Sequence, residues 1–275
     1  MRISAIGRLI QAIGLMRLFD SHCHLDDSVY DKDIHEVLHR MHAAGVESAM
    51  IVGTTLDRCH KAAAIAESTP GIYASVGIHP HDAKDCSEDT LKTLKDLSKR
   101  PCILAWGEIG LDFNRMYSPV DAQEKWLVRQ LQIAENLKFP IILHERDSNG
   151  RLLEILKAHF RNGLKGVVHC FSGTGDELEQ YLELGLCIGI TGIVTLKERG
   201  EPIRKLAGLI PEDRILIETD APYLTPSPER NKTGRNEPAF VRSVLCRLAD
   251  VRKEDPEGLA EKIWNNTCRL YSIEN

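Results

Sequence analysis

The 275-residue sequence has eight cysteines, at 23, 59, 86, 102, 170, 187, 246 and 268, yet no Cys-x-x-Cys pair. That excludes the usual spacing of a thiolate zinc site or a redox dithiol. Several of these cysteines lie in apolar strand-like runs, so reduced, buried thiols are expected. No run approaches the roughly 20 apolar residues a membrane-spanning helix needs. Low-complexity tracts and internal repeats are missing, and positive charge is not in excess: 35 Lys and Arg face 40 Asp and Glu, a net charge of −5, with a pI near 6.1. A broad basic face gripping a long duplex is therefore excluded, because that affinity comes from neutralising phosphates, whereas a small phosphate pocket remains compatible. What is present, 43% hydrophobic and 27% charged residues, describes an ordinary soluble globular protein, expected in the cytoplasm. Residues 1–16 carry Arg2 and Arg8 around short apolar runs, without a continuous hydrophobic region or a small-residue cleavage site. They read as an N-terminal extension outside the fold, upstream of an alternative start at Met16, leaving 17–275 as a single domain.

From residue 18 onward, short apolar runs without polar alternation, typical of strands covered on both faces, alternate with segments of helical periodicity. Strands are expected at Leu18–His22, Ser48–Val52, Ile72–Ile78, Cys102–Gly107, Pro140–Leu143, Gly166–His169, Leu186–Ile190 and Ile215–Glu218. Helices are expected at Asp31–Ala44, Leu56–Glu67, Glu88–Ser98, Asp121–Leu137, Gly150–His159, Asp176–Leu184 and Pro202–Leu209, with two closing helices at Pro238–Leu248 and Pro256–Leu270. Eight βα units in about 260 residues predict a (β/α)8 TIM barrel. A doubly wound open sheet is the alternative, weakened because no G-x-G-x-x-G follows the first strand.

In a barrel, sites are built where the strands end. The first strand ends in His22 and His24, two apart and so on one face, with Cys23 pointing the other way. Other strand ends carry His79, Glu108, His144, His169, Glu218 and Asp220. Each alone is ordinary, but five strands would not place uncompensated imidazoles and carboxylates at one barrel end by accident. His22, His24, His144, His169, Glu108 and Asp220 suffice for two divalent metals bridged by a carboxylate. Imidazoles suit zinc and carboxylates suit magnesium or manganese, so the metal's identity stays open.

The segments FDSHCHLDD (19–27), VGIHPHDA (76–83), GEIGLDF (107–113), PIILHERDS (140–148), VVHCFSG (167–173), ETDAPYL (218–224), GRNEPAFV (234–241) and NTCRLY (266–271) together resemble the TatD family of metal-dependent hydrolases and deoxyribonucleases. The resemblance runs from about residue 17 to the C-terminus. It implies a TIM barrel with a two-metal centre: His22, His24 and Asp220 on one ion, His144 and His169 on the other, and Glu108 bridging. Phe113 stands where the family often has Tyr, Ser148 where it often has Ala, and the N-terminal extension lies outside its pattern.

Two such ions support phosphodiester hydrolysis, with Glu108 and Asp220 the candidate catalytic residues; Asp220 is the candidate general base or only a ligand. Arg146, two beyond His144, faces the same mouth if the strand continues, or pairs with Asp147. His79, and His81 less directly, are candidates to contact substrate or to form a polar loop anchored by Pro80. Tyr223, Arg235 and Asn236 are candidates for a rim that takes a base or a phosphate. Glu218 is expected to partner a ligand histidine, and Cys23 and Cys170 to be packing residues. The expected activity is a 3′→5′ exonuclease on single-stranded or frayed DNA ends, without membrane or obligate protein partner, in a chain that can be monomeric. An amide or ester hydrolase, such as a D-aminoacyl-tRNA deacylase, uses the same centre. A non-catalytic nucleic-acid-binding protein with structural metals is the third reading.

Overall fold

Eight parallel strands follow one another in sequence order in the computed structural model, which describes residues 16–159, 165–227 and 229–274. They are β1 (Leu18–Cys23), β2 (Val46–Ile51), β3 (Ile72–Val76), β4 (Ile103–Asp112), β5 (Ile141–Arg146), β6 (Gly166–Val168), β7 (Cys187–Ile190) and β8 (Ile215–Ile217). Between and after them run α1 (Ile34–Ala43), α2 (Leu56–Ser68), α3 (Glu88–Leu97), α4 (Val120–Leu137), α5 (Arg151–His159), α6 (Gly175–Glu183), α7 (Glu201–Ala207), α8 (Val241–Arg252) and α9 (Pro256–Tyr271). The TIM barrel is therefore the fold; an open doubly wound sheet would reverse its strand order midway. The proposed extension lies outside the described residues, except for Met16.

Strand alternation sorts the apolar side chains into two layers. Phe19, Met50, Ala105, Ile142, Val167 and Leu216 form one buried cluster, closed off by Trp264 and Tyr271 of α9. Their chain neighbours Leu18, Ala49, Ile51, Trp106, Leu143, Val168 and Ile217 belong to the other, packed with the helices. The first layer fills the barrel and the second seals it to the helices, as a period of two requires.

The barrel closes just beyond β8. The Asp220 N–H donates to the His22 carbonyl at 2.9 Å, and the His24 N–H to the Ala221 carbonyl at 2.7 Å. Most expected boundaries move by one to three residues. Two strands run on past their expected ends, β4 by five residues to Asp112 and β5 by three to Arg146, paired all the way from Ile109↔Leu143 to Asp112↔Arg146. Gly110 permits this close pairing, because a Cβ there would collide with the carbonyl oxygen of His144. The expected helix at 238–248 begins as a 3-10 turn, Pro238–Phe240, before α8.

Candidate active site

Simple alternation carries some of the candidate residues into the barrel mouth. Ile142 faces inward, so His144 does too; the same counting runs from Val167 to His169 and from Leu216 to Glu218, while Asp220, past the end of β8, is turned by a left-handed backbone at φ 57°. Counting fails on β1 and β4. From Phe19 it would send His22 outward, and from Ala105 it would send Glu108 outward. Register shifts lie between Asp20 and Cys23 on β1 and between Trp106 and Ile109 on β4. Each resets the parity, so that His22 and Glu108 enter the mouth while Cys23 and Ile109 join the outer core.

The two oxygens of Glu108 face different donor groups. Oε2 lies 3.5 Å from His22 Nε2 and 3.9 Å from His24 Nε2, which are themselves 3.7 and 3.4 Å from Asp220 Oδ1. The two imidazole nitrogens are 3.3 Å apart. His22 Nε2, His24 Nε2 and Glu108 Oε2 lie close enough together to take one divalent ion, and Asp220 Oδ1 stands beside the same two imidazoles. Glu108 Oε1 lies 2.8 Å from His144 Nδ1, 3.6 Å from His169 Nε2 and 3.4 Å from His79 Nε2. The six residues expected as ligands are thus gathered into two groups that share one carboxylate.

The ring nitrogens that face away from the centre are mostly tied. His24 Nδ1 donates to the Val52 carbonyl at 3.0 Å, His169 Nδ1 lies 3.0 Å from Glu218 Oε1, and His144 Nε2 lies 3.2 Å from Asp112 Oδ2. Such partners fix the tautomer and aim the remaining lone pair at the centre. His22 is the exception; its buried Nδ1 has no hydrogen-bond partner, while its ring stacks on His169 at 3.7 Å. His79 differs in kind. Its Nδ1 accepts the His81 N–H at 3.0 Å, which leaves Nε2 carrying the proton, a donor aimed at Glu108.

Protonation follows burial and charge. Burial lowers His79 to about 4 despite Glu108 beside it, and burial with the neighbouring His169 lowers His22. Burial also works against charge on His24 and His144. There the nearby carboxylates outweigh it: Asp220 raises His24 to about 9, and Asp112 with Glu108 raise His144 to about 9. For Glu108, burial favours the neutral acid, but the surrounding imidazoles outweigh it and hold the carboxyl well below its ordinary range. Asp220 is lowered in the same way, against burial, by His24 and its neighbours. A cation taking up the ring nitrogens would displace their protons.

Residues that sequence reasoning did not single out hold this arrangement. Asp112 shares a face with Glu108 once β4 is seen to continue. Its Oδ2 takes His81 Nε2 at 2.7 Å as well as His144, and its Oδ1 accepts the N–H groups of Asn114 and Arg115. Two glutamines seven apart on α4 support the strand exits: Gln130 bridges the N–H and carbonyl of Ile78, just before His79, and Gln123 bridges those of Asp112. Spacing of seven on one helix face was the available signal. Asp20, fully buried, accepts the Thr219 N–H at 2.8 Å and meets its hydroxyl at 2.5 Å. Burial pushes Asp20 up to about 8, so it is a neutral acid at pH 7 that braces the segment leading to Asp220.

The outer candidates divide. Arg146 and Tyr223 line the mouth, a hollow of about 790 Å3, together with Arg58, Arg115, Tyr117 and Arg199. Arg146 forms no ion pair with Asp147, which instead accepts the Asn114 amide at 2.7 Å. Tyr223 and His24 stand edge-to-face, their ring centroids 6.0 Å apart. Arg235 does not line the hollow, contrary to the expected substrate contact. Its guanidinium is bound to Asp33 at 2.6 and 2.8 Å and to Glu237 at 2.9 Å, and lies over the Tyr30 ring. Asn236 is buried, its amide donating to the carbonyls of Thr219 and Tyr223. Both hold the rim in place. Glu218 braces His169, as expected. Cys23 and Cys170 pack away from the centre, against Met50 and Thr191, with burial pushing both thiols up.

A family profile described as TatD related DNase matches residues 19–272. A 3′-5′ ssDNA/RNA exonuclease TatD of Rahnella sp. is 40% identical over 259 residues, 93% of this chain and 98% of that protein. Its namesake in Citrobacter rodentium is 41% identical over the same shares. A crystal structure of a TatD homologue from Escherichia coli superposes with a TM-score of 0.86 at 30% identity, covering 94% of this chain and 99% of that one. With this fold, and with profile and relatives spanning nearly all of it, the chain belongs to the TatD family.

Proposed function

We propose that the protein is a metal-dependent 3′→5′ exonuclease that shortens single-stranded DNA or RNA from its end. One observation carries this reading: the carboxylate of Glu108 splits its two oxygens between two sets of donors, the arrangement a pair of divalent ions needs. Bound there, such ions would make water a nucleophile at neutral pH and neutralise charge on a phosphoryl group. The first would be held by His22, His24 and Asp220, the second by His144 and His169.

The chain's own residues then have distinct tasks. Asp220, ionised and directed at the centre, accepts the proton of the attacking water. His79 Nε2–H donates to a phosphoryl oxygen beside Glu108. Arg115, Arg146 and Arg199 make no side-chain ion pair with any described residue, so their charges are available to phosphates. Tyr117 and Tyr223, 56% and 51% exposed, offer ring faces to bases. These arginines and tyrosines suit the flexible end of a nucleic acid, and a concave mouth in an acidic chain favours an end over a duplex.

The test is to purify the protein, quantify its metals, and present 5′-labelled single-stranded DNA and RNA alongside D-aminoacyl-tRNA. Stepwise loss of nucleotides from the 3′ end, stopped by chelator and restored by a divalent ion, is expected. Turnover of D-aminoacyl-tRNA without shortening of either oligonucleotide would transfer the centre to acyl chemistry. Asp220→Asn should slow shortening by about 10²-fold or more with metal content largely kept; near-normal turnover would leave Asp220 only a ligand.

A further inference from the structure

α1 carries a second constellation, far from the described chemistry in kind. Its sequence reads His35-Glu36-Val37-Leu38-His39-Arg40-Met41-His42. Val37, Leu38 and Met41 are buried against the barrel, while His35, Glu36, His39 and His42 are exposed. Positions four apart on a helix stand one above the other, their Cβ atoms about 5–6 Å apart. His35 and His39 therefore stand one turn apart on the same exposed face of the helix. They also line one shallow hollow of about 320 Å3, together with Glu36 and Arg40.

The charges around that hollow favour a cation. Glu36 has no ion pair among the described residues, so its carboxylate is available. Arg40 is neutralised, its guanidinium bound to both oxygens of Glu237 at 2.7 and 2.8 Å. The positive end of the helix dipole is offset by Glu36 in the first turn.

We propose that His35 and His39 form a surface site for a borderline transition-metal ion, Ni2+, Cu2+ or Zn2+, independent of the barrel mouth. Neutral imidazoles at this spacing select such ions over Mg2+ and Ca2+, which prefer oxygen. The pattern His-Glu-x-x-His holds zinc in metalloproteases when its helix lines a substrate cleft. Here it faces solvent across a shallow hollow, so the site binds and does not hydrolyse. Water fills the remaining positions, which makes the ion exchangeable.

An immobilised metal isolates this site, because the buried imidazoles of the mouth cannot reach an ion fixed to a resin. The full-length protein, without a histidine tag, is applied to immobilised Ni2+ and eluted with imidazole, beside His35→Gln, His39→Gln, His42→Gln and His60→Gln. Free Ni2+ affinity is then measured on the metal-loaded protein. Wild type is expected to be retained. His35→Gln and His39→Gln should each bind Ni2+ about 10²-fold more weakly, the loss of an intramolecular second ligand, with nuclease activity and melting temperature unchanged. His42→Gln and His60→Gln should elute with wild type. Failure of wild type to be retained, or retention that survives His39→Gln, overturns the proposal. So does loss in His39→Gln and His42→Gln with His35→Gln unaffected, because the pair would then be a different one.

Discussion

β5, β6 and β8 deliver their polar residues by plain alternation, whereas β1 and β4 deliver theirs only after a register shift. The regular strands supply His144, His169 and Glu218, each predictable by counting two from an apolar neighbour, and Asp220 follows just beyond β8. The shifted strands supply His22 and Glu108, and Glu108 is the residue that both donor groups share. A shift adds one residue against the partner strand and re-aims the side chains beyond it. The centre is thus most irregular where it is most shared, while regular and irregular strands alike are braced, His144 by Asp112 and His169 by Glu218.

Replacing the shared residue should have the largest effect. Glu108→Gln keeps the shape but removes the charge from both groups, so turnover on single-stranded DNA should fall by at least about 10³-fold, with metal content reduced at both positions. Loss confined to one ion would mean that the carboxylate serves a single group. A smaller effect is expected at the brace of the β4–β5 edge. Asp112→Asn weakens the hold on His144 and His81 and should cost about 10–100-fold in metal affinity or activity, read by metal titration against the wild type. Unchanged affinity would show that the extended pairing to Arg146 aims His144 unaided.

The smallest effect belongs to the β1 brace and is one of stability. Asp20→Ala leaves the buried Thr219 N–H without its acceptor and should lower unfolding free energy by about 1–3 kcal/mol. Asp20→Asn retains an acceptor and supplies an N–H in place of the acid proton, so it should lose less. Both are compared by urea denaturation at pH 7. An Asn variant as unstable as the Ala variant would contradict the neutral acid assigned to Asp20.

The order of strands and helices was legible because apolar periodicity is local, and so were the six converging residues, because barrel strands end at one face. Asp112 was not, since β4 was expected to stop at Gly107; only its pairing with β5 carries it five residues further. Arg235 was misplaced for a similar reason. Its charge suggested substrate, but its partner Asp33 lies 202 residues away, a contact no local pattern reveals. Gln123 and Gln130 have ordinary helical surroundings, and their role depends on backbone groups left unpaired where β3 and β4 leave the sheet. Sequence thus reports which residues reach the mouth more readily than which residues hold them there.

The seam between β8 and β1 also has a meaning in time. Asp20 and Thr219 are 199 residues apart, and His22 meets Asp220 across the same junction, so the first-made and nearly last-made strands complete one site. A ribosome that has released His22, His24, Glu108, His144 and His169 has still not completed the site. The donor set is whole only late in synthesis, when the final strand docks against the first.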